Sequence, residues 1–358
     1  MRVLFLTRYD KLGASSRMRS LQYIPWFKSA GIETVVSAMF DDAMLLHKYQ
    51  HKGYGLFNVL SAYLRRIHVL MKVRQFDLVW IEKEALPWFP AWFEIWMLRH
   101  IPYVLDFDDA IFHNYDLHCF TWVRCVYGRR IDRLMAFSRL VIVGNRYLEN
   151  RAAGAGSRWI EKIPTVVDLV RYVPKHSYPI VPKPLVVWVG SPTSTQYLHG
   201  LVEPLAILAK RHPFTLRVVG GDMFAMPGVE VEFLPWSADT EAALIAESDV
   251  GIMPLRDSPW ERGKCAYKLI QYMACGLPTV SSPIGANLNV VIDGETGFLA
   301  DTADDWVNKM ELLLRDAALR QRLGQAGRKR VEAEYCLQQV APRLELLLKD
   351  AANESHRR

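Results

Sequence analysis

At 358 residues, about half of them apolar and with no low-complexity run, the chain is long enough for two domains, each with its own core. Its 44 Lys and Arg against 38 Asp and Glu leave a mildly basic balance. That suits phosphorylated ligands or an anionic lipid surface and is too weak to argue for nucleic acid. The five cysteines (Cys119, Cys125, Cys265, Cys275 and Cys336) have no C-x-x-C spacing. They suggest neither a disulfide framework nor a zinc cluster, and a reducing cytoplasm is the natural compartment.

The N-terminal run M-R-V-L-F-L-T reads as a first strand and is too short for a signal peptide. No stretch reaches the ~20 apolar residues of a membrane-spanning helix. Val3–Thr7, Glu33–Ala38, Leu78–Lys83, Tyr103–Asp106 and Leu140–Gly144 are β-rich runs separated by helix-length segments, the pattern of a parallel sheet covered on both faces.

Two stretches within this first half suggest an interface. Between Ala43 and Phe76 there is no acidic residue, while Lys48, Lys52, Arg65, Arg66, Lys72 and Arg74 all fall there. The helical period puts Leu56, Leu60, Leu64, Ile67 and Met71 on one side of that segment, and Trp88, Trp92 and Trp96 recur every four residues further on. Such stripes are either core faces or, beside so many cations, a basic amphipathic surface for anionic lipid.

Four prolines between Pro174 and Pro184 mark a linker at 175–184. A second series of strands follows at Leu185–Gly190, Thr215–Gly220, Val229–Leu234, Val250–Pro254 and Pro278–Ser282, and from Asp304 the chain is helical. The expectation is α/β: two Rossmann-like, doubly wound domains facing a cleft, over 1–174 and 185–335, with a closing helix at 336–358 placed against the first domain. Ligand is expected near the carboxyl ends of the strands. Neither first strand leads into G-x-G-x-x-G, and no G-x-x-x-x-G-K-[ST] occurs, which argues against a dinucleotide-dependent dehydrogenase and a P-loop kinase.

The densest chemistry lies in R-G-K-C-A-Y-K-L-I-Q-Y-M-A-C-G-L-P-T-V-S-S, Arg262 to Ser282. Arg262, Lys264 and Lys268 are read as cations at the start of a helix that Gly276 caps. Cations there oppose the helix dipole unless an anion completes the site, and a phosphate would. The alternative is a solvated basic turn partly neutralised by Glu261. Gly190-Ser191-Pro192-Thr193 follows the first strand of the second half; it is either a close backbone approach to phosphate or an ordinary helix cap.

The segment from Gly263 through Ser282, Gly285 and I-D-G-E-T-G-F-L (Ile292–Leu299), with Lys162-Ile163-Pro164, Val167-Asp168 and Ser248-Asp249-Val250, resembles the donor half of retaining glycosyltransferases of family 4, which have the GT-B fold. Gly13-Ala14-Ser15-Ser16-Arg17 and Asp106-Phe107-Asp108-Asp109-Ala110 resemble a subgroup associated with bacterial surface polysaccharides, lipopolysaccharide or capsule. The resemblance implies a nucleotide-diphosphate sugar as donor (a UDP-sugar foremost), a glycan or polyprenyl-linked acceptor, retention at the anomeric carbon, no metal and no cofactor. It implies a cytoplasmic enzyme at the inner face of the membrane, with contacts through 56–74 and 87–98.

On that resemblance the donor is bound by Gly190, Ser191, Thr193, Arg262, Gly263, Lys264, Lys268 and Gln271, with Lys264 and Arg262 on the diphosphate. Asp108, Asp109 and His113 are the catalytic candidates, and Ser16 and Arg17 the acceptor-binding ones. The chain departs from the family at Gly263 and Gln271, which stand where two signature glutamates are usual, and at Asp108, where histidine is common. The short D-x-D at Asp106 and Asp108 leaves metal binding and helix capping as alternatives for those carboxylates. Two further readings stay open: a nucleotide-sugar epimerase of the same fold, and a catalytically degenerate donor-binding subunit.

Overall fold

The computed structural model describes residues 1–51 and 53–353, the side chains of 49–51 excepted; Lys52 therefore lies outside the described residues. The chain divides into two compact units, one formed by Met1–Thr165 together with the stretch from Val340, the other by Val166–Gln339.

In the first unit β1 (Arg2–Tyr9), β2 (Glu33–Phe40), β3 (Leu78–Glu82), β4 (Tyr103–Phe107), β5 (Leu140–Val143) and β6 (Ile160–Lys162) form a parallel sheet in the order β2-β1-β3-β4-β5-β6. Every residue of β3, β4 and β5 is buried, as expected of parallel strands covered on both faces. Strand order reverses at β1, which has β2 on one side and β3 on the other. Connections leaving β1 and β3 therefore part in opposite directions and leave a crevice at their carboxyl ends.

The second unit repeats the plan with β7 (Leu185–Val189), β8 (Thr215–Val219), β9 (Glu230–Leu234), β10 (Val250–Met253), β11 (Thr279–Ser281) and β12 (Gly297–Leu299), in the order β12-β11-β10-β7-β8-β9. Here the reversal falls between β7 and β10. β6 and β12 are each three residues long, too short for alternation to announce them in the sequence.

The proline-rich stretch is not where the units part. The division comes earlier, at Thr165 and Val166. Lys175 donates its backbone N–H to the Cys275 carbonyl at 3.0 Å and pairs its ammonium with Asp249 at 3.1 Å, and the Tyr178 hydroxyl donates to the Gly276 carbonyl at 2.7 Å. Side chains between the prolines thus tie this stretch to the second unit.

The expected helix start at Arg262 also moves. A short helix, Pro259–Arg262, ends at Gly263, and the buried helix begins only at Tyr267. Between them Ala266 takes a left-handed φ of 55°, and its carbonyl accepts from the N–H groups of Leu269 and Ile270. Arg262 therefore sits at a helix C-terminus, where a cation complements the dipole, and only Lys268 lies in the first turn of Tyr267–Ala274. That helix stops where Gly276 predicts. At φ +76°, Gly276 donates to Met273 and Leu277 to Tyr272, the paired bonds of a Schellman cap.

Helix Leu56–Leu70 turns Leu56, Leu60 and Leu64 outward. Ala62, Arg66 and Leu70 are its buried residues, whereas Leu56 (82% exposed), Phe57, Leu60 and Leu64 face solvent. Arg66, counted above among the surface cations, is in the core. Its guanidinium donates to the carbonyls of Thr7 (2.6 Å) and Ser37 (3.1 Å), tying together the ends of β1 and β2, and burial pulls it down to about 10. In helix Ala91–Leu98 the buried residues are Ala91, Glu94 and Leu98, and Trp92 (65%) and Trp96 (52%) are outside.

Candidate active site

Each unit gathers polar side chains at its strand-order reversal. In the second unit, helix Tyr267–Ala274 brings Lys268 Nζ over the Trp188 ring of β7, 4.4 Å from the centroid. Lys264 Nζ lies 5.9 Å from the centroid of Tyr197, on the 3₁₀ run Pro192–Leu201 that follows β7. Burial, and then Lys264, pull the Lys268 ammonium down to about 7. Among the described residues no carboxylate comes within ion-pair distance of Lys268.

Glu261 faces the lysines' loop but is engaged. Tyr197 donates to it at 2.7 Å and Ser258 donates to its other oxygen. Burial would raise its carboxyl, yet these hydrogen bonds hold it below the usual range. Arg262, half-exposed, is drawn to Asp257 at 2.7 Å. The Arg262 carbonyl lies 2.8 Å from where a Cβ on Gly285 would sit, so Gly285 (φ +57°) lets the following loop close over this turn.

Gly190 is equally confined, since a Cβ there would meet the Trp188 ring at 2.2 Å. Ser191 and Thr193 form a local cap: the Ser191 N–H donates to Ser194 Oγ at 2.9 Å, and the two hydroxyls of Ser191 and Thr193 stand 3.0 Å apart. The loop after β7 and the lysine turn thus meet around Trp188 and Tyr197.

Gln271 is buried, 1% exposed, and its amide donates to the Tyr172 hydroxyl at 2.7 Å. Tyr172 in turn donates to Glu241 at 3.0 Å, and Trp236 donates its indole N–H to the other Glu241 oxygen at 2.7 Å. The Gln271 amide, expected from the resemblance to bind the donor, donates into this internal relay.

In the first unit Asp108 and Asp109, just past β4, converge on a residue the sequence reading passed over. Lys83, at the end of β3, lies 2.9 Å from Asp108, 3.4 Å from Asp109 and 2.9 Å from the Ser15 hydroxyl. Ser15 also donates to Asp108. Burial would raise the Asp108 carboxyl, but Lys83, the Ser15 bond and Arg19 together hold it below the usual range. Burial would lower the Lys83 ammonium, and Asp108, Asp109 and Glu82 outweigh it and raise it. The available signal was a lysine closing a buried strand between two glutamates, Glu82 and Glu84.

The remaining candidates have contacts of their own. Asp106 is buried and grips Arg19 through two donors, at 3.0 Å and 2.5 Å, so Asp106 and Asp108 serve different partners and the D-x-D does not form a cation site. No cluster of metal-ligating side chains occurs among the described residues. Ser16 is fully buried, accepting from the Tyr9 N–H at 3.0 Å and donating to Glu82 at 2.6 Å, which removes it from the acceptor-binding set. Arg17 donates to the Lys11 carbonyl at 3.0 Å. His113 has both ring nitrogens occupied, by Asp116 of its own short helix and by Tyr147, each at 2.8 Å, and so links that helix to Arg146–Gly154.

Two parallel six-stranded sheets in these orders make the GT-B fold of glycosyltransferases. Over 98% of this chain and 100% of the neighbour, the fold superposes with a TM-score of 0.73 and 17% identity on Anabaena Alr3699/HepE, solved in complex with UDP and glucose. WaaG, a glycosyltransferase involved in lipopolysaccharide biosynthesis, matches over 97% of this chain and 99% of its own at a TM-score of 0.69 and 13% identity.

Residues 183–316 match the family described as Glycosyl transferases group 1, a domain of transferases. The capsular polysaccharide biosynthesis glycosyltransferase CapM of Staphylococcus aureus is 26% identical over 176 residues, 47% of this chain and 46% of that protein. A D-inositol 3-phosphate glycosyltransferase of Pseudarthrobacter chlorophenolicus is 30% identical over 146 residues, 36% of this chain and 33% of its own. The matched segments thus span about half or less of these curated relatives.

Proposed function

We propose that this chain is a retaining glycosyltransferase of family 4 that moves a sugar from a nucleotide-diphosphate sugar to a glycan or polyprenyl-linked glycan in bacterial surface-polysaccharide synthesis. The observation that carries the reading is the placement of Lys264 and Lys268 at the β7–β10 reversal, within the segment that matches the group 1 domain. A half-buried lysine depressed by burial and by a second lysine is a site short of negative charge, and a diphosphate supplies it. In the transfer the acceptor oxygen bonds to the anomeric carbon while the sugar–phosphate bond breaks. The electron pair leaves with the diphosphate, whose departing oxygen takes up the acceptor's hydroxyl proton and whose growing charge the two lysines would stabilise. No metal enters this scheme.

The acceptor's lipid anchor has support in the first unit. Leu56, Phe57, Leu60 and Leu64 from one helix and Trp92 and Trp96 from another are exposed, and Arg99 stacks on Trp96. Helix Thr121–Tyr127 adds exposed Trp122 and Val126, preceded by exposed Phe120, a third element the sequence reading did not single out. Ring contacts from Tyr63 to Phe89 (5.3 Å) and from Trp88 to Tyr127 (6.2 Å), through adjacent residues of one turn, join these elements. Large aromatics beside cations suit the interfacial layer of an anionic membrane, where a head-group-linked acceptor would be met. No helix among the described residues is long and apolar enough to cross a membrane.

Calorimetric titration of UDP, GDP, ADP, dTDP and CMP into wild type and Lys264→Ala tests the proposal. One diphosphate should bind, and the variant should lose that binding far more than binding of the matching nucleoside. Equal loss of both would remove the diphosphate assignment, and binding of none would favour a degenerate subunit.

A further inference from the structure

Lys83 is held in a strained backbone conformation at the end of a buried strand. It sits at φ 66°, one of three non-glycine residues with positive φ among those described, in a region that side-chain-bearing residues rarely adopt. Its neighbours explain what the strain achieves. Glu82 turns inward to Ser16 and the Arg8 N–H, and Glu84 turns to Arg130 and Tyr115. Lys83 alone of the three points toward the crevice at the carboxyl ends of β1, β3 and β4, where its ammonium joins Asp108, Asp109 and Ser15.

Resting on the transferase reading above, we propose that Lys83 is the positioning residue of the acceptor site, holding the Asp108 carboxylate in one orientation to accept a hydrogen bond from a sugar hydroxyl. The site is built from three separate loops. Ser15 leaves β1, Lys83 closes β3 and Asp108 follows β4, strands that are neighbours in the sheet. Asp108 needs such help because its surroundings favour the neutral acid. It is mostly withdrawn from water, with Asp106 and Asp109 on its own strand end and Glu82 behind Lys83; the cations that act on it include Lys83 and Arg19. A neutral Asp108 would present a donor of its own and orient a hydroxyl differently. Lys83 therefore selects an acceptor-only group at this position. Asp109, more exposed and further from the ammonium, is a second anchor that fixes Lys83 rather than a second base.

The assignment is tested on the full chain by carboxyl ¹³C titration of aspartate-labelled protein, with Asp108→Asn identifying the Asp108 signal. That carboxyl should titrate below the ordinary aspartate range in wild type and in Lys83→Arg, and about 1–3 pH units higher in Lys83→Met. Lys83→Gln replaces the methionine variant should that one fail to fold. With UDP-glucose as donor probe, the acid limb of the pH profile for UDP release should rise by the same interval in Lys83→Met and return in Lys83→Arg. A chain that binds nucleotide normally but whose Asp108 titrates alike in wild type and Lys83→Met overturns this assignment alone. A wild type that binds none of the five nucleotides removes the transferase reading, and this assignment with it.

Discussion

Lys268 gives nucleotide binding a pH dependence whose sign is fixed by the structure. Its ammonium is pulled down to about 7 by burial and Lys264, against 10.5 for an ordinary lysine. At pH 8 roughly nine-tenths of the free protein therefore carries a neutral Lys268. A bound diphosphate favours the ammonium, so binding at pH 8 should take up about 0.9 proton, and affinity should fall about tenfold per pH unit above 7. Above about pH 7.5 the terminal phosphate, with its second ionisation near 6, is itself fully charged and adds little.

The measurement is calorimetry of UDP in two buffers of different ionisation enthalpy, from pH 6.5 to 8.5. Lys268→Arg should bind without proton uptake and lose the slope, and Lys268→Met should bind weakly at every pH. Stability supplies an independent sign. A depressed lysine costs the folded state its full penalty below about pH 7 and progressively less as pH rises toward 10.5. Lys268→Met should then stabilise the unliganded chain near pH 6.5, by at most about 5 kcal/mol and less where water reaches the half-buried amine. No proton uptake at pH 8, with one affinity across the range, would refute the reasoning.

Replacing Trp92 and Trp96 by Ser should reduce sedimentation with anionic vesicles and leave the melting temperature unchanged, because both rings are already in solvent. Asp106→Asn leaves the Arg19 guanidinium buried without its charge partner and should cost about 3–5 kcal/mol in denaturant unfolding, while refolded protein keeps its UDP affinity. Gly324→Ala should destabilise by more than the usual core methyl, since its Cβ would stand 1.9 Å from the Gly276 carbonyl at the helix end that the Schellman cap fixes; an unchanged thermal midpoint would contradict that packing.

Period and punctuation made most strands legible, because the buried stretches Val3–Leu6 and Leu78–Ile81 are covered on both faces and are continuously apolar. Side-chain direction was harder to read. The Leu56–Met71 stripe has the spacing of a core face, yet the buried face of that helix is Ala62, Arg66 and Leu70. Only the loose carbonyls at the ends of β1 and β2 explain an arginine there, and those become neighbours through tertiary folding. Likewise Ser16, Asp106 and His113 belong to chemically eligible residue types, and what engages each is a partner distant in sequence: Glu82, Arg19 and Tyr147. Lys83 was missed for the converse reason, since its partners Ser15 and Asp108 lie 68 and 25 residues away along the chain, counted from the sequence.

The departure at Gln271 is where sequence and structure bear most directly on each other. Resemblance would have a glutamate there, which makes Gln271→Glu look like a repair. The hydrogen bonds say otherwise. The Tyr172 hydroxyl has one proton, and it goes to Glu241; toward position 271 the phenol can only accept. A carboxylate at 271 would confront an oxygen with no proton to give, buried beside a second carboxylate one bond away. The cost should be about 1–3 kcal/mol at neutral pH, the penalty of an unsatisfied buried group. Because the protonated acid can donate as the amide does, the introduced carboxyl should have a raised pKa when folded, so the variant approaches wild-type stability in acid and loses it as pH rises. Adding Glu241→Gln supplies an amide whose oxygen can accept from Trp236 while its N–H donates to Tyr172, which frees the phenol's proton for the carboxylate at 271; it also removes the competing charge, and should recover much of the loss. Denaturant midpoints for the single and double variants across pH 5–8 decide the matter. A Gln271→Glu variant as stable as wild type at pH 8 would mean that Tyr172 turns its proton freely, and that the relay does not dictate the amide.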